Sequence, residues 1–391
     1  MKKTLLLIAT LSIGLLMFAQ QTTRNLTWDG TAREYIEYVP TSYDGLTPVP
    51  VVFCLHGLGD NMTNFNGAGF NYVADQEGWI VITPQALMAL VLGSEIGTAW
   101  NSGASAEGTP LGDIIINDGV DDSGFLIAVL DSLENHFNIN TDSVFFMGFS
   151  MGGFMSNKMA IEYGDRITAI ASVSGTIGNE AIATPTSNVN TLHFHGNADS
   201  QVGYENAEYT LMEGYVYSLG YGAEACVDFW KTHNNCEESA IVNMFPDTQA
   251  DGKTFERYVY LNGDNESYTA FIKVIGGDHE WYYTPQNDLD YTTEIYKFFT
   301  NTMDFSVGLE NVITKSNINV YPNPAKNYVH IAIGNEEQAV LKVYDILGSV
   351  IKTQRIKNDN VIDISNIPEG MYIFRVFTGT KTIDKKVIIN R

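Results

Sequence analysis

The stretch Val144-Phe145-Phe146-Met147-Gly148-Phe149-Ser150-Met151-Gly152-Gly153 decides the fold. Its first four residues are all apolar, the pattern of a strand covered on both faces. The residues from Gly152 to Tyr163 read as a helix. Between the two lies Gly-x-Ser-x-Gly, a sharp strand-to-helix turn that lifts the serine into an exposed, strained position. Only glycine leaves room on either side of it. Ser150 is therefore the candidate nucleophile. The bland alternative is a glycine-rich turn that merely packs a helix on the sheet.

Outward from this turn, short apolar runs alternate with helical stretches. Strands are predicted at Pro50 to Leu55, Trp79 to Thr83, Ser143 to Met147, Ile167 to Val173, Thr191 to Phe194 and Phe271 to Ile275. Helices are predicted at Gly124 to Phe137, Gly152 to Tyr163, Ala223 to His233 and Tyr291 to Phe299. Full apolar strands between helices indicate an α/β fold with a mostly parallel central sheet. After Phe305 the pattern changes to alternating strands separated by Asn323-Pro324, Leu347-Gly348 and Pro368-Glu369-Gly370. Those strands, at 318–321, 329–333, 340–344, 372–377 and 386–389, describe a small all-β sandwich.

Charge divides the chain in the same place. Residues 21–316 carry 10 basic and 39 acidic side chains, whereas 317–391 carry 10 basic and 7 acidic. So acidic a body repels nucleic acid and anionic membrane, which are held through Lys and Arg contacts. At 391 residues, 45% hydrophobic and 17% charged, the chain is long enough for two domains with real cores. The start, Met1-Lys2-Lys3 followed by an apolar run to Ala19, reads as a signal peptide. The expected organisation is 1–19 signal, 20–304 α/β domain, 305–316 linker and 317–391 β-sandwich. Three cysteines cannot all pair. Cys54 lies in a buried strand, and a Cys226–Cys236 bridge requires the helix between them to end early.

A serine nucleophile needs a base and an acid, which on such a sheet follow it in the order Ser, Asp, His. Asp199 follows the strand ending at Phe194, in His195-Gly196-Asn197-Ala198-Asp199. Its competitors are Asp228 in a helix and Asp247, Asp251 and Asp264 in looser segments. His56, His136, His193 and His195 precede the acid, His233 is helical and His330 lies in the β domain. That leaves His279, in Ile275-Gly276-Gly277-Asp278-His279-Glu280-Trp281. For the oxyanion hole, Met151 supplies the N–H after the nucleophile. Leu58, in Leu55-His56-Gly57-Leu58-Gly59-Asp60, supplies the second, with His56 orienting the loop. No third ligand joins His193 and His195 at metal spacing, and no phosphate loop is present, so neither metal nor cofactor is expected. The Asp121-Asp122 pair reads as an acidic helix start.

Together, Leu55-His56-Gly57, Val120-Asp121-Asp122-Ser123-Gly124-Phe125, Gly148 to Gly153, His195 to Asp199 and Gly276 to Trp281 resemble the polyhydroxybutyrate depolymerase-like esterases. That group overlaps the feruloyl and acetylxylan esterases of carbohydrate esterase family one. The resemblance implies an α/β-hydrolase with Ser150, Asp199 and His279 as triad, and Trp100 and Trp281 lining the pocket. His56 to Asp60 and Gly148 to Ser150 are also similar to the carboxylesterase and acyl-thioesterase group. The tail, through Val320-Tyr321-Pro322-Asn323-Pro324-Ala325, Val343 to Gly348, Ile367 to Tyr372 and Lys385 to Ile389, resembles the type A sorting domain of the type IX secretion system. The implied partners are an ester substrate and the secretion machinery. The expectation is an exported serine ester hydrolase acting on plant cell-wall esters, feruloyl or acetyl xylan, or on polyesters of the polyhydroxybutyrate or aromatic type. Its rivals are a peptidase or thioesterase on the same fold, and a non-catalytic surface binding protein.

Overall fold

The computed structural model describes residues 20–391 apart from 92, 110–112, 212–214, 304–317, 334–338, 346–349, 358–359 and 378–381. The expected signal peptide and linker lie outside the described residues. The chain divides into two compact units at about residue 308.

Ten strands of the first unit form one sheet among the described residues: β1 (Gln20–Trp28), β2 (Thr31–Val39), β3 (Val49–Leu55), β4 (Ile80–Pro84), β5 (Ile139–Phe149), β6 (Ala169–Val173), β7 (Asn190–Gly196), β8 (Ile241–Met244), β9 (Thr254–Tyr260) and β10 (Thr269–Ile275). Their order is β1-β2-β4-β3-β5-β6-β7-β10-β9-β8. The six central strands, β4 to β10 in that order, run parallel. The outer pairings are antiparallel. This is the α/β-hydrolase sheet.

Helices α1 (Phe70–Glu77), α2 (Asp122–His136), α3 (Met151–Tyr163), α4 (Ala223–His233) and α5 (Tyr291–Phe299) cover it. Alternate residues of the central strands feed two cores. Val51, Phe53, Leu55 and Phe146 pack with α2, α3 and α4 through Leu130, Phe154 and Trp230. Val52, Cys54, Phe145 and Met147 pack with α1 and α5 through Phe70 and Phe298. Burial on both sides is why these strands read as unbroken apolar runs. Strands β1, β2, β8 and β9, at and next to the two edges, were not predicted: β9 alternates buried and half-buried positions, whereas none of residues 21–28 of β1 is buried and β2 buries Arg33 and Tyr35 to Glu37.

Asp121 caps α2 by accepting from Gly124 N (2.9 Å), while Asp122 is buried against Arg33 at 2.6 Å. Arg33 lies 3.9 Å over the Phe125 ring. Asp122 thus ties α2 to β2, and Asp121 accepts from the Trp28 indole N–H of β1 at 3.0 Å. Cys54, Cys226 and Cys236 are all free thiols. No helix among the described residues is long and apolar enough to cross a membrane.

In the second unit, Ile318–Tyr321, Tyr328–Ile333 and Asn360–Asp363 form one antiparallel sheet. Val350–Ile356, Ala339–Tyr344, Gly370–Phe377 and Thr382–Ile389 form another. Val329, Ile331, Leu341, Val343, Phe374 and Val387 fill the space between them. Val350–Ile356 and Asn360–Asp363 escaped prediction because both are polar edge strands.

Candidate active site

Ser150 joins β5 to α3 with φ 54° and ψ −119°, a conformation that costs a non-glycine residue about 1–3 kcal/mol. Its N–H donates to Val173 O (2.8 Å), and its carbonyl accepts from Gly153 N and Phe154 N at 2.8 and 3.1 Å. The flanking glycines are steric necessities. A Cβ on Gly148 would lie 2.3 Å from Gly152 C, and one on Gly152 would lie 2.0 Å from Leu55 O. The strand, turn and helix meet there backbone to backbone.

The loop after β3 runs against this turn, since a Cβ on Gly57 would lie 3.3 Å from Ser150 Cβ. The buried His56 ring governs it. Ala86 N–H donates to Nε2 (3.1 Å), so Nδ1 carries the hydrogen and donates to Gly57 O (2.8 Å). Burial pushes the His56 pKa down, in keeping with a neutral ring. In a trans peptide the carbonyl and the N–H point opposite ways. Holding Gly57 O toward His56 therefore turns Leu58 N–H away from the histidine. Gly59 N–H donates to Thr98 O (2.8 Å) and secures the far end of the loop. Met151 opens α3, where first-turn N–H groups have no intrahelical acceptor and the helix end is positive.

Trp100 was expected to line the pocket; instead it is fully buried in the core. Its indole N–H donates to His56 O at 2.8 Å, so it supports the loop from behind. Trp281 does reach the surface cleft. With Phe149, His279, Tyr283, Gln286 and Asn287 it lines an open cavity of about 450 Å³.

Asp199 and His279 are brought together from loops after β7 and β10. His279 Nδ1 lies 2.8 Å from Asp199 Oδ2 and 3.1 Å from Oδ1. An ionised carboxylate only accepts, so Nδ1 carries the hydrogen and Nε2 keeps its lone pair. Asp199 Oδ1 also accepts from Gln201 N and Val202 N at 2.9 and 2.8 Å. Burial pushes its pKa up, but the His279 hydrogen bond and charge, His195 and the Val202 N–H prevail and hold it below the ordinary carboxylate value. The two loops are stitched together by Ala198 N→Gly277 O (2.9 Å), Gly276 N→Asn197 Oδ1 (2.7 Å) and Ser200 N→Asp278 Oδ1 (2.8 Å).

Phe149, next to the serine, places its ring 4.8 Å from the His279 imidazole and 6.2 Å from Trp281. Ser150 Oγ has no hydrogen bond among the described residues. Such contacts are commonly loose without substrate and tighten when it binds. Sequence reasoning missed Phe149 and Tyr283; their only local signal is aromatic character beside a candidate serine and histidine. Among the described residues no group of three or more His, Cys, Asp or Glu is placed to hold a metal ion.

Residues 44–212 match the phospholipase/carboxylesterase family, a span containing Ser150 and Asp199 but ending before His279. Residues 319–390 match the secretion system C-terminal sorting domain. A bifunctional acetylxylan esterase/xylanase of Neocallimastix patriciarum is 27% identical over 184 residues, 46% of this chain and 23% of that protein. Feruloyl esterase C of Emericella nidulans is 30% identical over 158 residues, 39% of this chain and 52% of the other. The chain thus spans about a quarter and a half of these two relatives. An acetyl xylan esterase from Aspergillus awamori superposes with a TM-score of 0.48 at 15% identity, over 71% of this chain and 99% of that one. The resemblance to feruloyl and acetylxylan esterases and to the sorting domain, first read from the motifs, is borne out.

Proposed function

We propose that the chain is an exported serine carboxylic-ester hydrolase acting on esters of plant cell-wall polysaccharide, feruloyl or acetyl. The observation that carries this reading is the Asp199–His279 pair, held on stitched loops against Phe149, the residue before a serine in the strained elbow conformation. His279 Nε2 takes the Ser150 proton as Oγ attacks the ester carbonyl. Leu58 and Met151 N–H groups stabilise the oxyanion, and His279 then protonates the leaving alcohol. Water, activated by the same ring, releases the acid from Ser150. The cleft supports a ring-bearing or polymeric substrate, because it is open and walled by Phe149, Trp281 and Tyr283. The C-terminal sandwich serves as the address for type IX secretion.

The test gives the full-length protein and its Ser150→Ala variant methyl ferulate, acetylated xylan, a hydroxybutyrate oligomer and an amide analogue. Released acid is measured by chromatography. Serine-dependent release from the plant esters supports the proposal. Release from the oligomer alone moves the substrate to polyesters, and comparable amide cleavage makes the enzyme a peptidase. No release from a folded protein leaves a binding protein.

A further inference from the structure

Three buried polar groups that the proposed reaction does not touch lie directly behind its acid. Ser172 on β6 and His193 on β7 are register partners, and His195 follows two residues on, on the same strand face. All three are buried. Ser172 Oγ lies 2.8 Å from His193 Nδ1, and His193 Nε2 lies 3.2 Å from His195 Nδ1. His195 Nε2 lies 2.8 Å from Val202 O and 3.6 Å from Asp199 Oδ2.

The hydrogens in this chain follow by elimination. Val202 O can only accept, so His195 Nε2 carries a hydrogen. Burial pushes both imidazoles below their ordinary pKa, well below for His193, which favours the neutral rings, and a neutral His195 with its hydrogen on Nε2 holds a lone pair on Nδ1. His193 Nε2 must then donate, His193 Nδ1 must accept, and the Ser172 hydroxyl must donate to it. Reversing either ring alone would set two lone pairs or two N–H groups face to face. Reversing both would turn a lone pair toward Val202 O and the Asp199 carboxylate.

We propose that Ser172, His193 and His195 form a one-way hydrogen-bond relay that positions Asp199. This rests on the reading of Asp199 as the acid behind His279. Val202 closes the turn whose N–H groups hold Asp199 Oδ1, and His195 anchors the carbonyl of the same residue. The His195 N–H also faces Oδ2, the oxygen nearest His279. Phe271 stacks on His193 and Tyr204 meets His195 edge-on, so apolar surfaces hold both rings. These three are positioning residues; they touch no substrate.

The first test labels the histidines of the full-length protein with ¹⁵N and records long-range ¹H–¹⁵N spectra near neutral pH. His193 and His195 should each show a single Nε2–H tautomer; an Nδ1–H form at His195 in the wild type overturns the relay. Ser172→Ala removes the terminal donor without touching Asp199. It should mix the tautomers of both rings and lower kcat on p-nitrophenyl acetate at unchanged KM. His195→Phe should lower kcat by between about 10- and 100-fold, as a displaced catalytic group does. His195→Gln, whose amide N–H replaces Nε2–H, should recover most of it. If Ser172→Ala and His195→Phe change melting temperature but not kcat, the groups are only structural and the proposal fails. Should His195→Phe not fold, Ser172→Ala decides. If wild-type turnover does not depend on Ser150, the triad reading fails instead, while the spectra still report the relay.

Discussion

Gly152→Ala tests the link between the turn at Ser150 and the loop proposed to hold the oxyanion. The added Cβ would lie 2.0 Å from Leu55 O, 2.6 Å from Leu55 C and 2.9 Å from His56 O, all backbone atoms. Ordinary van der Waals contact at such a Cβ begins at 3.4 Å, so more than 1 Å of separation must be found. No side chain can swing away to supply it. Leu55 ends β3 in the middle of the sheet, so the movable parts are the His56-Gly57-Leu58 loop and the start of α3. These carry the two proposed oxyanion donors. Misplacing a reacting group by 1 Å costs on the order of 100-fold in rate, and overpacking costs about 1–3 kcal/mol of stability. The assay is kcat and KM on p-nitrophenyl acetate, with thermal melting in parallel. The control is Gly153→Ala, whose Cβ meets Gly175 Cα at 3.0 Å and needs only a few tenths of an ångström. Gly152→Ala should lose about two orders of magnitude in kcat while remaining folded, and Gly153→Ala much less. If Gly152→Ala keeps kcat within about three-fold of wild type, the elbow and loop are not coupled in this way.

Asp199→Asn keeps the size of the acid but cannot stabilise the imidazolium, and should lower kcat by about 10⁴-fold with little change in KM; stopped-flow and steady-state assays check it. Burial lowers the pKa of His56, His193 and His195, so the unfolded chain takes up protons near pH 6.5 that the folded chain refuses. Stability from these rings is complete above about pH 6.5 and falls as the pH drops below it, by up to about 1.4 kcal/mol per pH unit for each ring. Melting temperatures between neutrality and mild acid should fall accordingly, less in His193→Gln; a slope unchanged in that variant excludes His193 as a source. Trp100→Phe removes the donor to His56 O and should cost about 1 kcal/mol in stability and lower kcat even on small esters. Trp281→Ala should instead raise KM for methyl ferulate more than for an acetyl ester, and an equal effect on both argues against a pocket role.

The α/β core and the candidate triad were legible in the sequence for local physical reasons. Central parallel strands are buried on both faces, so Val51 to Leu55 and Val144 to Met147 announce themselves as apolar runs whatever surrounds them. The turn at Ser150 demands glycines at fixed spacing because three backbone segments meet there. Asp199 and His279 could be picked out by chain order and strand ends, and α4 and α5 by their apolar stripes. Strands β1, β2, β8 and β9, at and next to the edges, were not legible, since their apolar residues are few or broken up by polar ones. Trp100 and Trp281 look alike in one dimension. Packing sends the first behind the His56–Leu58 loop and the second to the cleft wall. His193 and His195 looked like ordinary strand residues. Their hydrogen bonds to Ser172 on the neighbouring strand and to Val202 in the next turn exist only once the parallel register is formed. Local chemistry along the chain determined which residues could react. Pairings between distant segments decided which way each N–H points, because the direction of a hydrogen bond depends on partners that sequence spacing does not contain.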